Sequence, residues 1–360
     1  MQVRIDESCF KKDADSNDLD EIFGYFKSEK HKWIDIDLEL LQDTVWYKGL
    51  GGRDLNFLRN YLFKSSTRKS IYKKTININN DLDSEFNVFE ANFYLNQPLT
   101  IVVENYEYEP VFINSIITKF DDSGELVNAK NMQWLNYENG GGGNDNTIKG
   151  KIKESFNNPL LKKEKSNYLR CFIIKDSDRE YCLVNEDGTI TQKELEENKT
   201  RFLDQNKIFY HVLQKREKEN YIPDCVYNSF LQTSKSKDKK KEYARVYLKL
   251  NHSQKDFLDI EKGFSEKVQN GREVKRRDTL KQEIQDLYKS VSDDDYRVIG
   301  LGLEFPNFKS ELSIFFEHVT KEDLEKRIAH QKLEISKVNT SDIIECDEFE
   351  HIIREIKYLL

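Results

Sequence analysis

The sequence predicts an α/β protein built on a parallel sheet, with a mixed region before the sheet and a mostly helical region after it. Three observations carry that prediction. Short apolar runs, LTIVVEN (99–105), CFIIK (171–175) and KIFYHVL (207–213), alternate with stretches of helical period. Breakers fall between them: Pro98, Pro110 and the run NGGGGNDN (139–146). Beyond residue 225 the apolar spacing turns largely helical.

The chain divides accordingly into residues 1–97, 98–225 and 226–360. In the first region DLDEIFGYFKS (18–28) places Leu19, Ile22, Phe23 and Phe26 on one helical face, and RDLNFLRNYLF (53–63) does the same with Leu55, Leu58, Tyr61 and Leu62. Between them WIDIDLELL (33–41) alternates as a strand does. In the second region LTIVV reads as a buried strand, Pro110 suits the first turn of the helix that follows, and MQWLNY (132–137) is the next strand. TIKGKIKESF (147–156) reads as a helix, YLRCFIIK as a strand, TQKELEENKTRFLDQ (191–205) as a helix capped by Thr191, and KIFYHVL as the last strand. In the third region SKSKDKKKEYAR (234–245) reads as a lysine-rich loop. REVKRRDTLKQEIQDLYKSV (272–291), KEDLEKRIAHQKLEI (321–335) and SDIIECDEFEHIIREIKYLL (341–360) read as helices, with RVIGLGLEF (297–305) as an isolated strand.

Composition narrows the function classes. With 360 residues, 22 Phe and 18 Tyr, the chain has ample core material beneath a surface in which 34% of residues are charged. A net charge of −8 argues against indiscriminate nucleic-acid coating but leaves room for a local basic groove. Cys9, Cys171, Cys182, Cys225 and Cys346 are scattered, odd in number and lack a CxxC pair, which argues against a disulfide framework or a structural zinc. No apolar run approaches the ~18 residues of a membrane span, and the opening MQVRIDESCF lacks a signal-peptide core, so a cytoplasmic protein with no membrane partner is expected.

The chemistry concentrates at strand ends. Right-handed crossovers place the C-terminal ends of parallel strands on one edge of the sheet, where ligands of open α/β sheets bind. Glu104 ends one such strand, and Asp176 and Asp178 end another. Two aspartates at i and i+2 repel one another, an arrangement that a divalent cation bound by hard oxygen ligands would stabilise. A solvated acidic turn is the commoner reading of a lone DxD.

The order IVVENYEYEP, Gly-rich break, FIIKDSDR, YHVLQKREKENYIP resembles the TOPRIM family of topoisomerases, primases and overcoming-lysogenization-defect nucleases, and within it the TOPRIM-like proteins of bacterial antiphage systems. The resemblance covers roughly residues 98–225. Asn105 stands where the family usually has glycine, and the acidic position after it falls on Glu107 or Glu109. It implies a TOPRIM-like (Rossmann-like) catalytic core and a metal-dependent nuclease using Mg²⁺, or Mn²⁺, against DNA or RNA. Asp176 and Asp178 would hold the ion and Glu104 would act as ligand or general acid/base, with a further ion near Glu104 and Glu109. Lys215 and Arg216, past the last strand, would neutralise charge, although a surface basic pair explains them equally. Glu219 would be another ligand or would orient the lysine. The GGGG run (140–143) offers backbone amides to phosphate or is a plain loop, and His211 reads as a core histidine. The resemblance further implies an antiphage effector controlled by a separate ATPase or sensor protein, with a homo-oligomer possible; the alternative is an inactive docking or sensor module on the same core.

Overall fold

The computed structural model describes residues 1–11, 15–65, 72–141, 145–181, 193–233, 239–269, 271–303, 316, 318–330, 333–336 and 343–360. It is an α/β structure with two parallel sheets.

The first sheet holds β1 (Gln2–Ile5), β2 (Lys32–Trp33) and β3 (Thr75–Ile78) in the order β2-β1-β3, all parallel. Helix Ser16–Lys27 connects β1 to β2 and buries Leu19, Ile22, Phe23 and Phe26, the stripe its spacing predicts. The strand expected over 33–41 is shorter than its alternation suggests. Pairing stops at Trp33, and Leu38–Gln42 is helical, because the Asp37 carboxylate accepts from the backbone N–H groups of Glu39 and Leu40 and nucleates a turn. Helix Val88–Asn96 closes this layer, started by a reciprocal Asn87–Glu90 capping box.

The second sheet holds β4 (Leu99–Val103), β5 (Leu135–Asn139), β6 (Cys171–Lys175) and β7 (Phe209–Val212) in the order β5-β4-β6-β7, again all parallel. Every residue of β4 and β6 is buried, because both faces of the sheet are covered. Ile101, Val103, Phe172 and Ile174 face one apolar cluster, while Val102, Cys171 and Ile173 face another containing Ile148, Leu203 and Ile208. The chain leaves β4 for β5 on one side and returns to β6 on the other. The topological switch point therefore lies between β4 and β6, where a crevice opens beyond the strand ends.

The described residues of 226–360 share their core with this sheet. Helix Glu348–Leu359 buries Phe349, Ile352, Ile353 and Ile356 in the cluster that holds Phe112 and Ile116 of helix Glu109–Phe120. Several expected helices are otherwise built here. The run 272–291 divides into β9 (Gly271–Val274), which pairs antiparallel with β8 (Ser265–Val268), and a short helix Gln282–Leu287. Five polar residues from Lys275 to Thr279 leave no apolar face to anchor an α-helix there, and Arg277–Thr279 makes a single 3-10 turn. Of the strand expected at 297–305, residues 297–300 instead end helix Asp293–Gly300, capped by Ser292 and carrying three aspartates in its first turn, and residues 304–305 lie outside the described residues. Leu333–Ser336 and Ile343–Cys346 are the antiparallel strands β10 and β11, not helix, leaving helices Lys321–Ile328 and Glu348–Leu359. Thr191, Gly142, Gly143 and residues 234–238 lie outside the described residues; Lys239–Lys249 is helical. No helix is long and apolar enough to cross a membrane among the described residues.

Candidate functional site

The crevice at the switch point is assembled from the first residues past β4, β6 and β7. After β4 the chain turns sharply: the Asn105 side chain accepts from Glu107 N at 2.9 Å and its carbonyl accepts from Glu109 N at 3.1 Å. That turn brings Glu109 back onto Glu104, whose backbone N–H donates to Glu109 Oε2 at 2.8 Å. Asn105 thus serves the position by a side-chain turn.

After β6 the DxD residues diverge. Asp176 points into the crevice and is 18% exposed. Ser177 donates its hydroxyl to Lys215 O at 2.7 Å, and Asp178 N donates to Arg216 O at 2.9 Å, which ties this loop to the one leaving β7. Asp178 takes the left-handed backbone conformation, φ +53°, and its carboxylate accepts from Lys199 Nζ at 2.6 Å near the mouth. Glu104, Glu109 and Asp176 each offer an oxygen, and these oxygens lie within 4.8 Å of one another. Asp178 lines the crevice but is not part of that triad.

After β7 a single 3-10 turn, Lys218–Tyr221, supplies the cation. Lys218 Nζ lies 2.8 Å from Asp176 Oδ1 and 3.2 Å from Glu109 Oε1, with its side chain 6% exposed. Burial alone would lower this ammonium, but Asp176 and Glu109 more than offset it and hold the group above the usual lysine range. Burial raises the Glu109 carboxyl, Lys218 opposes that rise, and Asp176 adds to it. Burial, with Glu219 and Asp259 beside it, pushes Glu217 up to about 8.

Lys215 is placed elsewhere. Its ammonium is fully buried behind the crevice, 2.6 Å from Asp256 Oδ1, on the segment between β7 and the 3-10 turn. Burial lowers it to about 8. Arg216 pairs with Asp259 at 3.1 Å, Glu219 lines the crevice, and the buried His211 places Nε2 2.8 Å from Glu348 Oε1. Lys218 is the cation that sequence reasoning missed; its signal is its place in the turn after the strand, three residues beyond Lys215.

The crevice encloses about 350 Å³. Its described lining carries seven carboxylates, those named above with Glu261, against the two lysines Lys218 and Lys262. No cysteine or histidine is among the described lining residues, so the donor set is hard oxygen throughout. Such donors suit Mg²⁺ or Mn²⁺ and disfavour metals that seek sulfur or imidazole. Comparison of the chain with protein-family models, with curated proteins and with solved structures finds no match.

Proposed function

We propose that the chain is a TOPRIM-like, Mg²⁺-dependent nuclease acting on DNA or RNA, and that Glu104, Glu109 and Asp176 hold its metal ion. The observation that carries this reading is the convergence of those three carboxylates, from two different strand ends, at the switch point of a parallel sheet. When bound, the ion supplies Lewis-acid charge stabilisation and an activated water. The acidity of the crevice supports the need for it, since a polyanionic backbone is otherwise repelled by this lining.

The chain's own groups would divide the remaining work. Lys218 brings the positive charge nearest Asp176 and would stabilise charge developing on a phosphate oxygen. Glu217, held protonated up to about pH 8, would donate a proton to the leaving oxygen. Asp178 would orient Lys199 at the mouth, or turn inward as a further ligand. An antiphage effector gated by a separate ATPase or sensor protein remains the biological setting that the resemblance implies.

The test is cleavage of plasmid and tRNA with Mg²⁺ or Mn²⁺ by the wild type, Glu104→Ala, Asp176→Ala and Lys218→Met. Losses of about 10²–10⁴-fold are expected for each variant. Undiminished cutting by Glu104→Ala or Asp176→Ala would remove these residues from the chemistry. A second reading, an inactive docking module, is favoured by one observation: Lys218 already neutralises Glu109 and Asp176. No cleavage by the wild type, with metal-independent stability, would select it.

A further inference from the structure

The N-terminal sheet carries a cleft of its own. β2-β1-β3 repeats the arrangement of β5-β4-β6: the first strand is central, and its two successors lie on opposite sides. The same rule therefore predicts a crevice beyond the C-terminal ends of β1 and β3. A cleft of about 560 Å³ lies there, bounded by Ile5 at the end of β1 and Asp6 after it, Ile78 at the end of β3 and Asn79 after it, and Trp33 at the end of β2 with Asp35 just beyond. Nothing in the proposed nuclease chemistry uses it.

Its lining is unlike that of the metal crevice. Leu40 and Leu82 form the lips and are 52% and 50% exposed, an unusual position for two large apolar side chains facing one depression. Beneath them the wall includes Trp33, 2% exposed, whose indole N–H has no hydrogen-bond partner among the described residues. The side-chain oxygen of Asn77 is likewise buried and unpartnered, its amide nitrogen being engaged by Glu85 Oε1 at 3.1 Å. Orphaned buried polar atoms are costly. Around the rim the segments DIDLELLQD (35–43) and DLDSE (81–85) are acidic. Among the described lining residues Arg4 is the one basic side chain, and it donates from Nε to Asp35 at 2.8 Å. Asp35 itself holds a left-handed backbone, φ +55°.

We propose that this cleft is a docking site for an extended basic segment of a partner protein, with an apolar residue seated between Leu40 and Leu82 and lysine or arginine on either side. Charge complementarity selects that occupant: the rim repels phosphates and acidic peptides and attracts cations.

The test is fluorescence anisotropy of the full chain with a labelled peptide having a central leucine flanked by lysines, against the same peptide with glutamates. Saturable binding of the basic peptide alone is expected, weakening as added salt shortens the Debye length from about 30 to about 8 Å. Asp37→Asn with Glu85→Gln keeps the helix cap and the bond to Asn77 while removing two rim charges, and should weaken binding about three- to tenfold. Leu82→Ser, an exposed change that leaves folding intact, should weaken it as much or more. Failure of the basic peptide to bind, equal binding of the acidic one, or unchanged affinity in both variants overturns the proposal, as does displacement of the peptide by an uncharged nucleoside at equal concentration. These outcomes are independent of the nuclease assays.

Discussion

The Lys218 ammonium lies between Asp176 and Glu109, 2.8 Å from one carboxylate and 3.2 Å from the other, at a place reached only when the ends of β4, β6 and β7 come together. Each of the three groups lacks most of its hydration, so their charges depend on one another. Lysine and divalent cation are alternative answers to the same electrostatic need: both offset the carboxylates' mutual repulsion.

Lys218→Met should therefore destabilise the protein by about 3–5 kcal/mol in metal-free buffer, because Asp176 and Glu109 lose the charge that balances them. Added Mg²⁺ should raise the melting temperature of this variant more than that of the wild type, by mass action on the folded state. Thermal unfolding with and without the ion measures both effects. Equal responses in the two proteins would show that the carboxylates do not share a cation site.

How far this site could be read from the chain depended on which link carried the information. Glu104 and Asp176 were readable because a continuous apolar run dictates a buried strand, and a parallel sheet then dictates where its end lies. Glu109 was only half readable: its return to Glu104 depends on the turn made by the Asn105 side chain. Lys215 and Lys218 are three residues apart, and the choice between them rests on where β7 ends and the 3-10 turn begins, which apolar pattern does not encode. Asp178 was read with Asp176 because i and i+2 share a face in a strand, but its left-handed backbone redirects it to Lys199. In the third region apolar runs misled in both directions: RVIGLGLEF reads as a strand, but the Ser292 cap makes its first residues the end of a helix, and Ile343 and Ile344 read as helix but lie in β11.

Glu217 sets a pH dependence whose sign follows from its raised pKa. Between its ordinary 4.5 and about 8, the folded protein keeps a proton that the unfolded chain has released. Stability supplied by that proton is complete below 4.5 and is lost as pH rises through about 8. Glu217→Gln should flatten this dependence and be the more stable protein above about pH 8, by on the order of a few kcal/mol. Parallel melting curves of wild type and variant across that range would refute the assignment.

Asp256 is the hub of a buried ionic group behind the site. Lys215, Arg327 and His330 each approach it to 2.6 Å. Burial alone would raise its carboxyl, yet His330, Arg327 and Lys215 hold it well below the usual range. Asp256→Ala leaves the Lys215 and Arg327 charges buried without that counter-charge and should cost about 3–5 kcal/mol, read by denaturant unfolding. Lys215→Met should likewise act through stability. Loss of cleavage by Lys215→Met at an unchanged melting temperature would instead make Lys215 a participant in the chemistry.

Gly263 links the crevice wall to the rest of the C-terminal region. Its backbone is left-handed, φ +57°, and a Cβ there would stand 2.3 Å from Ile299 O and 2.5 Å from Gly300 O, both main-chain atoms that cannot turn aside. Gly302 meets the same loop from the other side: its own Cβ would lie 2.3 Å from Glu261 O. Glu261 and Lys262, which line the crevice, are thus held by a close backbone contact that only glycines permit. Gly263→Ala should cost about 2–4 kcal/mol, combining a strained φ with an overpacked contact, and should weaken Mn²⁺ binding measured by titration calorimetry. Gly24→Ala provides the contrast. That glycine sits within helix Ser16–Lys27 with open space where its Cβ would go, so alanine there should stabilise by about 0.5–1 kcal/mol and leave Mn²⁺ binding unchanged. If Gly263→Ala binds Mn²⁺ as the wild type does while losing stability, the 261–263 loop supports the fold without shaping the cation site.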